Sequence, residues 1–422
     1  MAYYTSEVNT KLIDPNVYVS NLRVEFQLPS GDYGNRMRLM NVGLTAAGTP
    51  FYNTYLGAVA SIKSVRLLNG RDELDACREC NRYLSFKRFN KSDAKGLGLE
   101  QQKSKNRYGL CYTGSGTGAS AAAASRNLQD FMGLGGTAKL LLTNDEATTP
   151  KAYLDLRDCL PFLKAVEVLP KSLFSQLRIV IEYESDVRNL ISVDNQPVTT
   201  TRPLLACDVI EDEDIVKQMT AELNGSSWEA VEHDLTRIVA SNTDGTQITS
   251  NRLNGFNNKR MMRFFIQKCP TNKTRNVATG NVVKNGGDMF SQAFLNEKFN
   301  VKINGSPKVS RNGAEYPQQR LSLLVDAYGE CNCYYGSNRQ GASQSGEVAA
   351  STLAQSKNDW YGLYVNDTIK DFELEITRDT KANTIASADL DRPNSDGYDV
   401  HVFADIRKSL LVSGDSYQVI YA

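Results

Sequence analysis

Between residues 22 and 28 apolar side chains at Leu22, Val24, Phe26 and Leu28 alternate with Arg23, Glu25 and Gln27, until Pro29-Ser30-Gly31 breaks the run. A period of two puts the apolar set on one face of an extended chain, so this segment predicts a strand with one buried side. The same alternation recurs at 37–44, 61–70, 137–143 and 177–183, and in the second half at 238–240, 260–268, 299–304, 321–328, 360–365 and 371–377. The last stretch alternates through Val400, Val402 and Ala404, breaks at Ser413-Gly414-Asp415 and resumes through Tyr417, Val419 and Tyr421. It reads as strand, turn and strand, with the C-terminus tied into a sheet.

Helical periodicity is brief by comparison. Leu74, Cys77, Asn81 and Leu84 fall about one turn apart, which predicts a helix over 73–89. Residues 154–163 read as a short apolar helix or turn, stopped by Pro161 and Pro170. The Gly-, Ser- and Ala-rich stretch 91–127 predicts a long loop, and 185–203, with its Thr triplet, is the most linker-like stretch near the middle. Many strands, irregular spacing and long loops predict an all-β chain of two sandwiches: an N-terminal arm over 1–19, a first domain over 20–207 and a second over 208–422, with the boundary near 205–215. An internal echo agrees with duplication, because SIKSVRLLNG ends at Gly70 and KFNVKING ends at Gly305.

Charge changes the picture by exclusion. The 48 basic and 48 acidic residues cancel, which removes the broad positive field that drives sequence-independent binding to phosphate backbones. No signal-peptide pattern opens the chain and no apolar run nears the length of a spanning helix, so an unsecreted, soluble protein is expected. The eight cysteines, Cys77, Cys80, Cys111, Cys159, Cys207, Cys269, Cys331 and Cys333, are scattered in a chain too large to need disulfide staples and read as free thiols.

Candidate chemistry is thin. The two histidines, His233 and His401, sit in different predicted domains, which leaves little from which to build a triad or a zinc site. His401 is out of phase with Val400 and Val402 and should point away from their face, while His233 reads as a helix-surface residue. Cys77 and Cys80 have C-x-x-C spacing and Cys331 and Cys333 C-x-C spacing, but the pairs lie far apart. Gly114, Gly116 and Gly118 lack the lysine of a phosphate-binding loop, Lys103, Lys105, Arg107 and Tyr108 make too small a patch for a nucleic-acid groove, and Glu211 to Asp214 read as a solvated charge run. No catalytic residue, metal or cofactor is expected. Carboxylates converging from distant strands would leave no local signature, so a glycan hydrolase stays open as an alternative.

Four segments, at 57–86, 155–186, 298–329 and 400–422, resemble the double jelly-roll major capsid proteins of eukaryotic DNA viruses. The likeness is to the Polinton-like virus and virophage type, and more distantly the giant-virus type. The resemblance implies two tandem jelly rolls with short helices in the connections. It implies a non-enzymatic building block forming homotrimeric, pseudo-hexameric capsomers of an icosahedral virion shell, made inside the host cell. The implied partners are other copies of the chain, neighbouring capsomers, and penton and minor capsid proteins, with no sequence-specific nucleic acid. The loops at 91–127 and 330–358 would lie at the outer surface or between capsomers. Tyr3, Tyr4 and Tyr18 of the arm, with Trp228 and Trp360, are the candidate interface residues, and deleting the arm should impair assembly while leaving the trimer folded. The other reading is a two-jelly-roll hydrolase or carbohydrate-binding module, in which the two tryptophans would serve as stacking platforms.

Overall fold

The computed structural model describes residues 8–46, 59, 61–90, 151–184, 198–238, 246–270, 298–309, 313–314, 317–329, 361–379 and 398–421. The first half runs β1 (Val8–Ile13), β2 (Val17–Val19), β3 (Arg23–Gln27), β4 (Tyr33–Ala46), β5 (Ile62–Asn69), β6 (Asp72–Arg78) and α1 (Cys80–Asn90). It continues through β7 (Lys151–Asp155), a 3₁₀ turn (Leu156–Asp158), α2 (Phe162–Ala165), β8 (Val168–Leu169), β9 (Leu177–Tyr183), β10 (Val198–Thr200) and β11 (Leu204–Ile210). The second half runs α3 (Glu213–Ala221), β12 (Ser227–Ile238), β13 (Thr246–Arg252), β14 (Arg260–Pro270), β15 (Lys298–Ile303) and β16 (Ser306–Pro307). After α4 (Pro317–Tyr328) come β17 (Tyr361–Thr368), β18 (Phe372–Asp379), β19 (Tyr398–Ser413) and β20 (Ser416–Tyr421).

Alternation explains the sheets. In β9 Leu177, Ile179, Ile181 and Tyr183 point into the core while Arg178 and Glu182 are half-buried on the other face; β3 does the same with Val24 and Phe26. These strands join β2-β3-β9-β5-β6, which packs on a second sheet ordered β1-β11-β4-β10, with β7 and β8 added to β4. In the second half β12-β19-β14-β17, with β20 on β19, packs on β13-β18-β15-β16. The described ladders are antiparallel throughout, as sandwiches joined by hairpins and Greek-key returns require. Each fully buried Leu, Ile, Val or Phe contributes about 1.5–3 kcal/mol.

One core fills the second sandwich, built on Phe256, Phe264, Ile266, Val301, Leu374 and Val402. The other fills the first, around Phe26, Met37, Leu39, Ile179 and Leu205, and continues into the second half through Trp228, Val231, Phe265, Phe403 and Leu410. Adjacent residues of β14 and β19 therefore serve different cores: Phe264, Val402 and Ala404 one, Phe265 and Phe403 the other.

Several expectations are corrected. Residues 72–78, read as the start of a helix, form β6, with Leu74 through Cys77 buried, so alternation vanishes and the spacing of Leu74 and Cys77 mimics a helical turn. The helix begins only at Cys80, after Glu79 turns the chain with φ of 52°. Residues 321–328, read as a strand, lie in α4, whose buried Arg320, Leu324 and Ala327 follow the helical period. Pro161 starts α2 instead of ending a helix. His233 lies on β12, which pairs with β19 over its whole length. From Val8 on, the segment read as an arm is strand: β1 pairs with β11 and β2 with β3. β11 carries the first half's sheet to Ile210. The Asn-Gly echo is not equivalent: Asn69 ends β5 and Gly70 alone takes positive φ, whereas both Asn304 and Gly305 do so between β15 and β16, the signature of a type I′ hairpin. The expectations at 91–127, 137–143 and 330–358 lie outside the described residues.

Candidate functional site: the seam between the halves

α1 starts where β6 ends and lies across the outer face of the second half's β12-β19-β14 sheet. Phe86 of α1 stacks on Phe265 of β14 at 3.7 Å between ring centres, Phe265 stacks on Phe403 of β19 at 4.9 Å, and Tyr83 of α1 lies 6.1 Å from Phe403. Tyr328 of α4 meets Phe86 and Phe265 edge-on, at 5.1 and 5.7 Å. Such aromatic pairs contribute about 0.5–1.5 kcal/mol each beyond the area they bury. At the other end of the sheet Trp228 of β12 packs edge-on against Phe162 of α2 at 5.0 Å. Tyr417 of β20 lies 5.0 Å from Phe174, and its hydroxyl accepts a hydrogen bond from Asn69 Nδ2 at 3.0 Å.

Charged groups punctuate this apolar seam. Asp75 of β6 is 1% exposed, and its two carboxylate oxygens accept hydrogen bonds from the backbone N–H groups of Ala76 at 3.0 Å and Phe162 at 2.8 Å. Burial pushes its pKa up to about 7, against the pull of those bonds and of Lys408. Burial also pushes Glu232 upward, but Lys408 at 3.0 Å and Lys259 at 3.6 Å more than offset it and hold Glu232 below the usual carboxylate range. Arg263 donates to Asp405 at 2.6 Å, Glu229 at 2.8 Å and the carbonyl of Ala327 at 3.1 Å, tying β14, β19, β12 and α4 together. His233 and His401 face each other across the strands, Nε2 to Nδ1 at 3.0 Å. Burial, then the positive field of Arg82, pushes His233 down to about 4.

Trp228 is buried inside its own chain, which leaves it no face for a glycan ring or a neighbouring subunit. The Tyr18 hydroxyl donates to the carbonyl of Thr200, tying β2 to β10. Tyr3, Tyr4 and Trp360 lie outside the described residues, as do Cys111, Cys331, Cys333, the Gly114–Gly118 run and Lys103 to Tyr108. Cys77, Cys80, Cys159 and Cys207 are buried free thiols. Asp212, in the acidic run, caps α3 by accepting from the N–H groups of Asp214 and Ile215. Among the described residues no group of three or more His, Cys, Asp and Glu is placed to hold a metal ion, and no helix is long and apolar enough to cross a membrane. The seam itself escaped the sequence reading. Its signal is present, because Phe264-Phe265-Ile266 and Val402-Phe403-Ala404 are apolar on both phases of a strand, the mark of a sheet covered on both sides.

The arrangement defines two jelly-roll sandwiches locked side by side in one chain, a double jelly roll. The chain is similar over 99% of its length to a chain of the Sputnik virophage particle, with a TM-score of 0.58 and 11% identity across 88% of that chain. It is similar over its whole length to the mavirus major capsid protein, at a TM-score of 0.54 and 11% identity across 91% of that chain. The PBCV-1 virus capsid gives a TM-score of 0.52 and 11% identity, with 100% and 99% covered. No protein-family model and no curated protein matches the sequence. At these identities the likeness establishes the fold, the all-β double jelly roll expected from the strand segments.

Proposed function

We propose that this chain is a major capsid protein. Three copies close around an axis into a pseudo-hexameric block of six sandwiches, and the blocks tile an icosahedral virion shell. The observation that carries the reading is the seam: two sandwiches are held in one fixed orientation by stacked aromatics and buried ion pairs, in a fold shared nearly end to end with chains of virus capsids. A rigid two-barrel unit suits tiling, where each block must present the same faces to every neighbour. We place the boundary between the sandwiches after β11, near 211–226, because the strand pairings on either side of it stay within their own half.

On this reading the partners are further copies of the chain, then neighbouring blocks, penton and minor capsid proteins, and the chain resides in the shell after assembly inside the host cell. Its role is structural and not catalytic. Tyr3, Tyr4 and Trp360 stay assigned to contacts between copies, while Tyr18 and Trp228 serve within the chain. The test is assembly: the full chain expressed alone or with its minor capsid partners, imaged in negative stain, should give blocks of hexagonal outline that join edge to edge. Isolated two-lobed particles under every condition tried would overturn the reading.

A further inference from the structure

The histidine pair lies on the face of the β12-β19-β14 sheet that α1 covers. His401 is 5% exposed and His233 is half-buried. Phe403, stacked on Phe265 and tilted against Tyr83, lies 4.9 Å from the His233 ring and 6.4 Å from the His401 ring, so the pair adjoins the aromatic contact that joins the halves. Gln267 of β14, opposite His401 in register, is fully buried and carries no charge. The cations facing the pair are Arg82 of α1, Arg78 of β6 and Lys63 of β5. The acids nearby are already engaged. Glu79 holds Arg82 at 3.1 Å and Lys63 at 3.7 Å, Asp399 holds Arg237 at 3.0 Å, and Asp234 accepts from the N–H groups of Leu235 and Gly255.

We propose that His233 and His401 form a proton-operated latch between the two barrels. With both rings neutral, one N–H donates to the other ring's lone pair across 3.0 Å. A first proton can be held between the two nitrogens. A second leaves two N–H groups facing each other, two cations in a buried site beneath Arg82, and the contact must open. α1 then lifts from β12 and β19 while the sandwiches on either side keep their own cores.

The sign follows from where the protons bind. In the folded chain His233 takes up its proton near pH 4, whereas a histidine of the unfolded chain does so near 6.5. The latch therefore adds stability above pH 6.5 and loses it as pH falls toward 4, by up to about tenfold in the closed-to-open ratio per pH unit from His233. Asp75 titrates with the opposite sign up to about pH 7, so a bulk melting curve would superpose the two and a site-resolved measurement is needed.

The chain has two histidines, so selective ¹³C labelling of histidine gives one ring signal from each. In the full-length protein the His233 ring should stay neutral to about pH 5 and titrate below it, with the His401 signal responding as the contact opens. Amide hydrogen exchange over residues 80–90, 227–238 and 398–406, corrected for the intrinsic rate at each pH, should rise as pH falls from 6.5 toward 4, and exchange over β3 and β9 should not. In His233→Gln and His401→Gln the rise should be lost or displaced. A His233 ring that titrates near 6.5, or that titrates low with no change in exchange along α1, would overturn the latch. The wild-type measurement decides the matter even where a variant folds poorly.

Discussion

Asp75 is a buried carboxyl whose two oxygens organise two backbone amides of the first half at the seam's edge, those of Ala76 and Phe162. The folded chain keeps its proton to about pH 7, while a carboxyl of the unfolded chain releases it near 3.8. Stability from this group is therefore full below pH 4 and is lost as pH rises to 7. The difference in urea midpoint between wild type and Asp75→Asn should shift in favour of the variant from pH 5 to pH 8, whereas a difference independent of pH would contradict the assignment. Asp75→Ala should cost about 1–3 kcal/mol for each stranded N–H. Phe265→Ala removes the ring between Phe86 and Phe403 and should cost about 3–5 kcal/mol in chemical unfolding. Apart from Ala76 beside Asp75, none of these partners is near another in sequence. The sequence shows that Phe265 and Phe403 are apolar on the outward phase of their strands, but what covers them is fixed only by the fold.

At the scale of elements, legibility follows burial. β9 and β3 are readable because apolar residues on one face alternate with mostly polar ones on the other; β6, buried over Leu74 to Cys77, shows no alternation, and α4 mimics a strand because Leu321, Leu323 and Val325 happen to alternate. α4 sits close on β17 because Gly362 has no side chain: a Cβ there would lie 2.4 Å from Leu324 Cδ1 and 3.1 Å from the carbonyl of Phe264. Gly362→Val should force the helix outward and cost about 1–3 kcal/mol, read as a lowered melting temperature. Removing residues 1–19 takes away β1 and β2, which pair with β11 and β3. The truncated chain should lose stability in the first sandwich and unfold at lower urea, not merely assemble poorly. A truncated protein that melts like the full chain would show that these strands are accessory.

At the scale of the molecule, the order of strand segments carried the two-sandwich architecture. What no sequence pattern could carry is the way the halves meet, since α1, β14 and β19 are brought together from residues near 85, 265 and 403. That meeting packs the two sandwiches against each other and gives the capsid reading its physical sense. The most direct test is the solution mass of the purified full chain by sedimentation or light scattering. A closed trimer of about 140 kDa, three times the 46.7 kDa chain, is the predicted result. A single species at the mass of one chain, unchanged across protein concentration and salt, would contradict it.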